Sequence, residues 1–96
     1  MKNFKDFVNE KSAFGIYHKS YTEAINAALE YAKKEGYSYD EEETASTIGL
    51  GSKRPSEGTT NRFSISLYKN GELQKKQLHI QVYGMTTKYE LNCYIQ

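Results

Sequence analysis

The fold is decided by two stretches of alternating sequence, RFSISLY at residues 62–68 and QLHIQVY at residues 77–83. In each stretch an apolar side chain recurs at every second position, which is the period of a β-strand with one buried face. The segment between them includes Lys69-Asn70-Gly71-Glu72, and its Asn-Gly pair is typical of a tight hairpin turn. The sequence therefore predicts two antiparallel strands with one apolar and one polar face.

A third alternating stretch, YELNCYI at residues 89–95, follows a turn from Gly84 to Lys88. Its odd positions are apolar, from Tyr89 to Ile95, and its even positions are mostly polar. The three stretches predict an antiparallel meander of strands 62–68, 77–83 and 89–95. Such a sheet has one apolar face, which must be covered by another element.

The covering element is predicted to be a helix over residues 20–35. Ser20-Tyr21-Thr22-Glu23 has the form of a capping box, in which the Ser and Glu side chains bind free amides of the first turn. Lys33 and Lys34 oppose the helix dipole in the last turn, and Gly36 can end the helix. The residues that share its apolar face are Tyr21, Ile25, Ala28, Leu29 and Ala32.

The segments around this helix carry weaker signals. Residues 11–19 are expected to be irregular or a short extended piece. Asp40 is a possible cap for a second, shorter helix over residues 40–46, whose first turn would be acidic. Residues 51–61 are rich in helix and strand breakers, and Arg54-Pro55-Ser56-Glu57 suits a type I turn. Residues 11–96 are thus predicted to form a single α+β domain, a two-layer sandwich of one main helix on the sheet.

Composition restricts the class of protein. The chain has 96 residues, a net charge of +1 and a single cysteine, Cys93. No apolar run approaches the roughly 18 residues that a membrane span needs, and the N-terminus lacks the apolar centre of a secretory signal. We therefore expect neither a membrane partner nor secretion. The lone cysteine excludes an internal disulfide and favours a reducing compartment.

Few residues of the sequence are candidates for catalysis. His18 and His79 are far apart in the chain and lie in no recognisable motif. Cys93 falls at an inward position of its strand, where it would act as a small apolar residue. The acidic run at 40–43 lacks the alternating ligands and glycine of a calcium loop. The sequence predicts no catalytic residue, no metal site and no cofactor, and therefore a protein that is not an enzyme.

The polar face of the sheet is the first candidate site. It would gather the aromatic side chains of Tyr68, His79, Tyr83 and Tyr94. Tyr-rich patches anchor protein interfaces, so the face could bind a protein partner or a second copy of the chain. With Arg62, Lys75 and Lys76 at its margin it could instead stack the bases of single-stranded nucleic acid. The third alternative is a face in contact with water alone.

A second candidate site is a loop that could bind an anion. Its cations and hydroxyl groups are those of Lys53, Arg54, Ser56 and Arg62. Glycine-rich loops with such side chains form phosphate sites, although this one lacks the order of a P-loop. Contact with a nucleic-acid backbone would be non-specific and sensitive to salt. The alternative is an ordinary solvated turn.

The first ten residues, MKNFKDFVNE, form a separate motif. Phe4, Phe7 and Val8 have the i, i+3, i+4 spacing of one helical stripe. The decapeptide resembles the capsid-targeting propeptide of internal head proteins from T-even-type tailed phages, which begins with Met-Lys and ends in an aliphatic-x-Glu cleavage signal. Here that signal is Val8, Asn9 and Glu10, with Val8 where the family usually has Ile or Leu. The alternative is an integral amphipathic helix that docks on the domain.

The resemblance implies a small, non-enzymatic accessory protein that is packaged in a phage head after cleavage behind Glu10. Its partners would be the prohead scaffold or protease, and it would reside in the virion interior or the host cytoplasm. Residues 77–95 also look like stretches of uncharacterised proteins from marine tailed phages. The alternative function is a small cytoplasmic module that binds a protein, or itself, through the Tyr-rich sheet face.

Overall fold

A computed structural model of the chain describes residues 15–49 and 54–96. Residues 1–10, with the predicted cleavage signal, lie outside the described residues. In chain order the elements are β1 (Tyr17–His18), α1 (Tyr21–Lys34), α2 (Glu41–Gly49), β2 (Thr60–Lys69), β3 (Glu72–Gly84) and β4 (Tyr89–Ile95). These strands form one antiparallel sheet in the order β1-β4-β3-β2.

The predicted α+β class and the antiparallel meander are confirmed, since β2, β3 and β4 follow one another in the sheet. β2 and β3 extend further than predicted because their pairing continues through polar residues to Lys69 and Glu72 at the hairpin. Asn70 and Gly71 have φ values of +52° and +78°. These left-handed conformations are those of the type I′ turn that the Asn-Gly pair favours.

The prediction of only three strands was wrong, because β1 adds a fourth at the sheet edge. Tyr17 pairs with Glu90 and His18 pairs with Tyr89. The Leu91 amide also donates to the carbonyl of Ile16 at 2.7 Å. A two-residue strand is too short to show any sequence period, and it forms only because β4 offers an edge.

The main helix is confirmed as α1. The Ser20 hydroxyl accepts a hydrogen bond from the Glu23 amide at 3.1 Å, as predicted for the cap. At the other end Gly36 has a φ of +92°. Its amide donates to the Lys33 carbonyl, and the Tyr37 amide donates to that of Ala32. These two bonds form a Schellman motif, so the glycine ends the helix as expected.

A second helix is present and is longer than predicted, since α2 reaches Gly49 rather than Ser46. Asp40 is its cap, because a carboxylate oxygen accepts from the Glu43 amide at 2.8 Å. The chain enters α2 through Ser38, whose amide and carbonyl both bind the backbone of Tyr68 at the end of β2. The side chain of Ile48 packs against the main core.

The core lies between α1 and the sheet. Small side chains of α1 allow the helix to approach the sheet closely, and the strands contribute larger aliphatic ones. Cys93 is buried, which confirms its predicted inward position, and this burial raises the pKa of its thiol to about 12. The buried apolar residues are Ala24, Ile25, Ala28, Ala32, Ile65, Leu67, Leu78, Ile80, Val82, Leu91 and Cys93.

A turn before β2 packs tightly on the end of β3. The predicted type I turn at 54–57 is shifted, since the amide of Thr59 donates to the carbonyl of Ser56 at 3.0 Å. Gly58, at the third position of this turn, has a φ of +83°. The turn crosses Gly84 so closely that a Cβ there would lie 2.5 Å from the Ser56 carbonyl oxygen. This tertiary contact explains the shift.

Candidate functional site

The sheet has a second face, on the side away from α1, which we call the open face. Its side chains alternate along β2, β3 and β4 with the buried ones. Strand register sets them in rows across the sheet, such as Arg62-Gln81-Asn92 and Ser64-His79-Tyr94. The members of the open face are Thr60, Arg62, Ser64, Ser66, Gln77, His79, Gln81, Tyr83, Glu90, Asn92 and Tyr94.

His79 occupies the centre of the open face. Its Nδ1 lies 2.9 Å from the Ser64 hydroxyl, and its Nε2 lies 3.2 Å from the carbonyl oxygen of Gln96. Its ring also stacks on that of Tyr94, with ring centres 4.9 Å apart and planes inclined by 27°. Two of these contacts join neighbouring strands and the third reaches the residue that follows β4, so the imidazole is fixed from both sides.

A shallow depression of about 190 Å³ lies beside this cluster on the same face. The Asn92 side-chain amide donates to the Gln81 amide oxygen at 3.3 Å on its floor. The depression is lined by Thr60, Arg62, Gln81, Tyr83, Glu90 and Asn92. It therefore holds one cation, one carboxylate and one aromatic ring among neutral polar groups.

The four predicted interface aromatics are only partly brought together. His79 and Tyr94 are in contact, and Tyr83 lies further along the open face at the depression. Tyr68 lies apart, at the start of α2. The charge of Glu43 raises the pKa of the Tyr68 hydroxyl, and partial burial and the charge of Asp40 raise it further. The pairing of Tyr68 with Ser38 causes this placement.

Sequence analysis missed one aromatic residue of this region, Tyr17. It stands opposite Glu90 in the β1–β4 pair and therefore continues the row that contains Tyr83. Its side chain is 55% exposed, and the Lys88 ammonium lies 4.2 Å from its ring centre. The sequence did not predict this position of Tyr17, because β1 is only two residues long and shows no periodic pattern.

The residues of the predicted anion site are separated by the fold. Lys53 lies outside the described residues. Arg54 lines a depression at the start of α1 together with Lys19 and Ser20, whereas Arg62 lies on the open face. The carbonyl of Ser56 accepts from both the amide and the hydroxyl of Thr59 in the turn beside Gly84. Arg54 and Arg62 thus line different depressions, and the anion site stays a prediction.

Further observations concern metals, membranes and relatives. Within the described parts of the chain, no three His, Cys, Asp or Glu side chains are grouped to hold a metal ion. None of the helices in residues 15–49 and 54–96 has the length and apolar character needed to cross a bilayer.

Comparison with protein-family models, curated proteins and solved structures gave no match. Function is therefore inferred from the open face and from the N-terminal motif.

Proposed function

We propose that this chain is a small self-associating module, in which the open face of one copy packs against the open face of another. The observation that carries the proposal is the exposure of Tyr83 and Tyr94, at 39% and 38%, on the two central strands of the sheet. Tyrosine supplies a large apolar surface with a polar tip, and it is enriched where protein interfaces bury the most area.

The charge of the open face favours a protein partner over nucleic acid. Its members carry one cation, Arg62, and one carboxylate, Glu90, and Lys75 is a further cation at the same period of β3 toward the hairpin, so the net charge of the face is small. Nucleic-acid binding depends on a basic surface that neutralises several phosphates. Protein interfaces are depleted of charge at their centre and enriched in aromatic residues and arginine, as this face is.

The same two charges favour a second copy as that partner. A two-fold axis brings the same patch of each protomer together, so the patch must complement itself. Arg62 and Glu90 line the same depression. A two-fold axis through the face can therefore set the guanidinium of one copy against the carboxylate of the other.

Sedimentation velocity over a range of concentrations tests the proposal. We expect the weight-average sedimentation coefficient of the full chain to rise with concentration. Tyr83→Ser should lower the association constant by a factor of about 30 or more, since central aromatic residues contribute roughly 2 kcal/mol or more. Leu73→Ser is the matched control, because Leu73 is 65% exposed at the hairpin end of β3, ten residues along the strand from Tyr83.

A charge exchange adds an independent test of the same proposal. Arg62→Glu and Glu90→Arg should each weaken association, and the double variant should restore it. Association that responds to Leu73→Ser and ignores all three open-face variants would place the contact elsewhere. A chain that stays monomeric at every concentration would refute self-association.

A second proposal concerns the phage context, and it is supported by the decapeptide MKNFKDFVNE. We propose that the chain is an accessory head protein of a T-even-like phage, directed into the prohead by residues 1–10. Cleavage behind Glu10 would then leave residues 11–96 inside the head. This proposal rests on the sequence motif alone and is compatible with self-association of the domain.

Co-expression with a T-even-type prohead protease tests this second proposal. The intact mass should show loss of residues 1–10, and Val8→Ile should be cut at least as fast because isoleucine matches the usual signal. If both proteins stay whole, the propeptide interpretation fails. An integral helix would then be expected to stabilise the domain, since two buried phenylalanines contribute roughly 3–5 kcal/mol each.

A further inference from the structure

The hydrogen bond between the Ser64 hydroxyl and the His79 imidazole has a defined donor and a defined acceptor. A carbonyl oxygen only accepts hydrogen bonds, so the His79 Nε2 that faces Gln96 at 3.2 Å must carry the proton. In the neutral ring this leaves Nδ1 as an acceptor. The Ser64 hydroxyl, 2.9 Å away, therefore donates its proton to Nδ1.

This arrangement contains the parts of an activated nucleophile. A hydroxyl group is within hydrogen-bond reach of a base, and the other nitrogen of that base is oriented by a third group. The stacked Tyr94 ring holds the imidazole from the next strand. Arg62 lies two positions along β2 on the same face, which places a cation about 7 Å along the strand from Ser64.

We propose that Ser64 is a nucleophilic modification site that accepts an acyl or phosphoryl group from an activated ester or fluoride, with His79 as the base. The Ser64 Oγ forms a bond to the carbonyl carbon or phosphorus as its proton passes to His79 Nδ1. The bond to the leaving group breaks, and that group departs with its electron pair. Self-association through the open face would cover Ser64, so this step belongs to the monomeric chain, and its test is run at a protein concentration at which the chain is monomeric.

The sheet supplies a matched control in Ser66. It lies on the same strand and the same face, but it stands opposite Gln77 rather than a histidine. Ser64 is exposed and Ser66 is half-buried, so the base is reported by the loss of their difference in His79→Gln rather than by the difference alone. General-base assistance contributes typically 10²–10⁴-fold.

A fluorophosphonate probe tests the proposal on the full chain. The rate of adduct formation is followed by intact mass, and the modified residue is located by peptide sequencing. We expect Ser64 to react at least about tenfold faster than Ser66. His79→Gln should remove this difference, and Ser64→Ala should abolish the fast adduct.

Circular dichroism and the unfolding midpoint of each variant establish that it remains folded. If His79→Gln disturbs the sheet, His79→Asn is the second variant, since its side chain also lacks a base. Equal labelling of Ser64 and Ser66 would overturn the proposal, as would unchanged labelling in His79→Gln. Failure to label Ser64 while a reference serine hydrolase reacts fully would also overturn it.

Discussion

The two faces of the sheet are built from alternating residues of the same strands, yet they differ in almost every physical property. On the covered face the side chains of Leu67, Leu78 and Ile80 are fully buried in the core between the sheet and α1. On the open face Tyr83 and Tyr94 keep more than a third of their surface exposed. The alternation of side chains along each strand therefore separates two roles. One set of residues stabilises the fold, and the other is free to make contacts or carry chemistry.

The largest test of this separation compares neighbouring positions of β3. Leu78→Ala should lower the free energy of unfolding by about 2–5 kcal/mol, because it opens a cavity in a fully buried site. Gln77→Ala, one residue away on the open face, should change it by less than about 0.5 kcal/mol. Urea denaturation of both variants checks the difference. Similar losses of unfolding free energy in the two variants would show that side chains of the open face also stabilise the fold.

A second test concerns the turn that crosses the end of β3. Gly84→Ala should cost about 1–3 kcal/mol, since its Cβ would lie 2.5 Å from the Ser56 carbonyl and 2.7 Å from that of Pro55. Gly49→Ala is the control, because its added methyl group meets no atom within 4 Å. Thermal unfolding of the pair should separate them. Equal melting temperatures would mean that the turn does not pack on Gly84.

A smaller effect is expected at the start of α2. Asp40→Ala should destabilise the protein by about 1 kcal/mol because it removes the cap on the Glu43 amide. Asp40→Asn keeps a capping oxygen and should be close to neutral in stability. Both variants should lower the pKa of Tyr68 slightly, because the Glu43 charge raises it most and the Asp40 charge adds to it. Ultraviolet titration of the tyrosines would detect this shift, and its absence in both would contradict the placement of Tyr68.

The effect of Cys93 appears only at alkaline pH. Burial raises its pKa from 9.0 to about 12, so the native state holds the neutral thiol where the unfolded chain ionises. The stability that the neutral, buried thiol gives the native state is fully present below about pH 9 and is lost as the pH rises toward 12. Tyr31, whose pKa is also raised chiefly by burial, acts in the same direction. Cys93→Ala should therefore show a weaker decline in stability above pH 9 than the wild type, and an identical decline would contradict the burial of the thiol.

Local patterns were enough to predict much of the fold. The Asn-Gly hairpin, the Gly36 helix end and the alternating strands each depend on neighbouring residues, and each was found. β1 was missed because two residues show no period. Tyr68 and the 56–59 turn were misplaced because contacts with Ser38 and Gly84, distant in sequence, decide them. The pairing of Ser64 with His79 likewise follows from register, which no single strand reveals.

The most direct test of the account is sedimentation velocity of the Tyr83→Ser, Tyr94→Ser double variant beside the wild type. We expect the wild type to associate as its concentration rises. The double variant should stay monomeric and folded, with a loss of unfolding free energy of about 1 kcal/mol for the Tyr94 ring that stacks on His79. A double variant that associates as strongly as the wild type would contradict the claim that the open face is the contact surface.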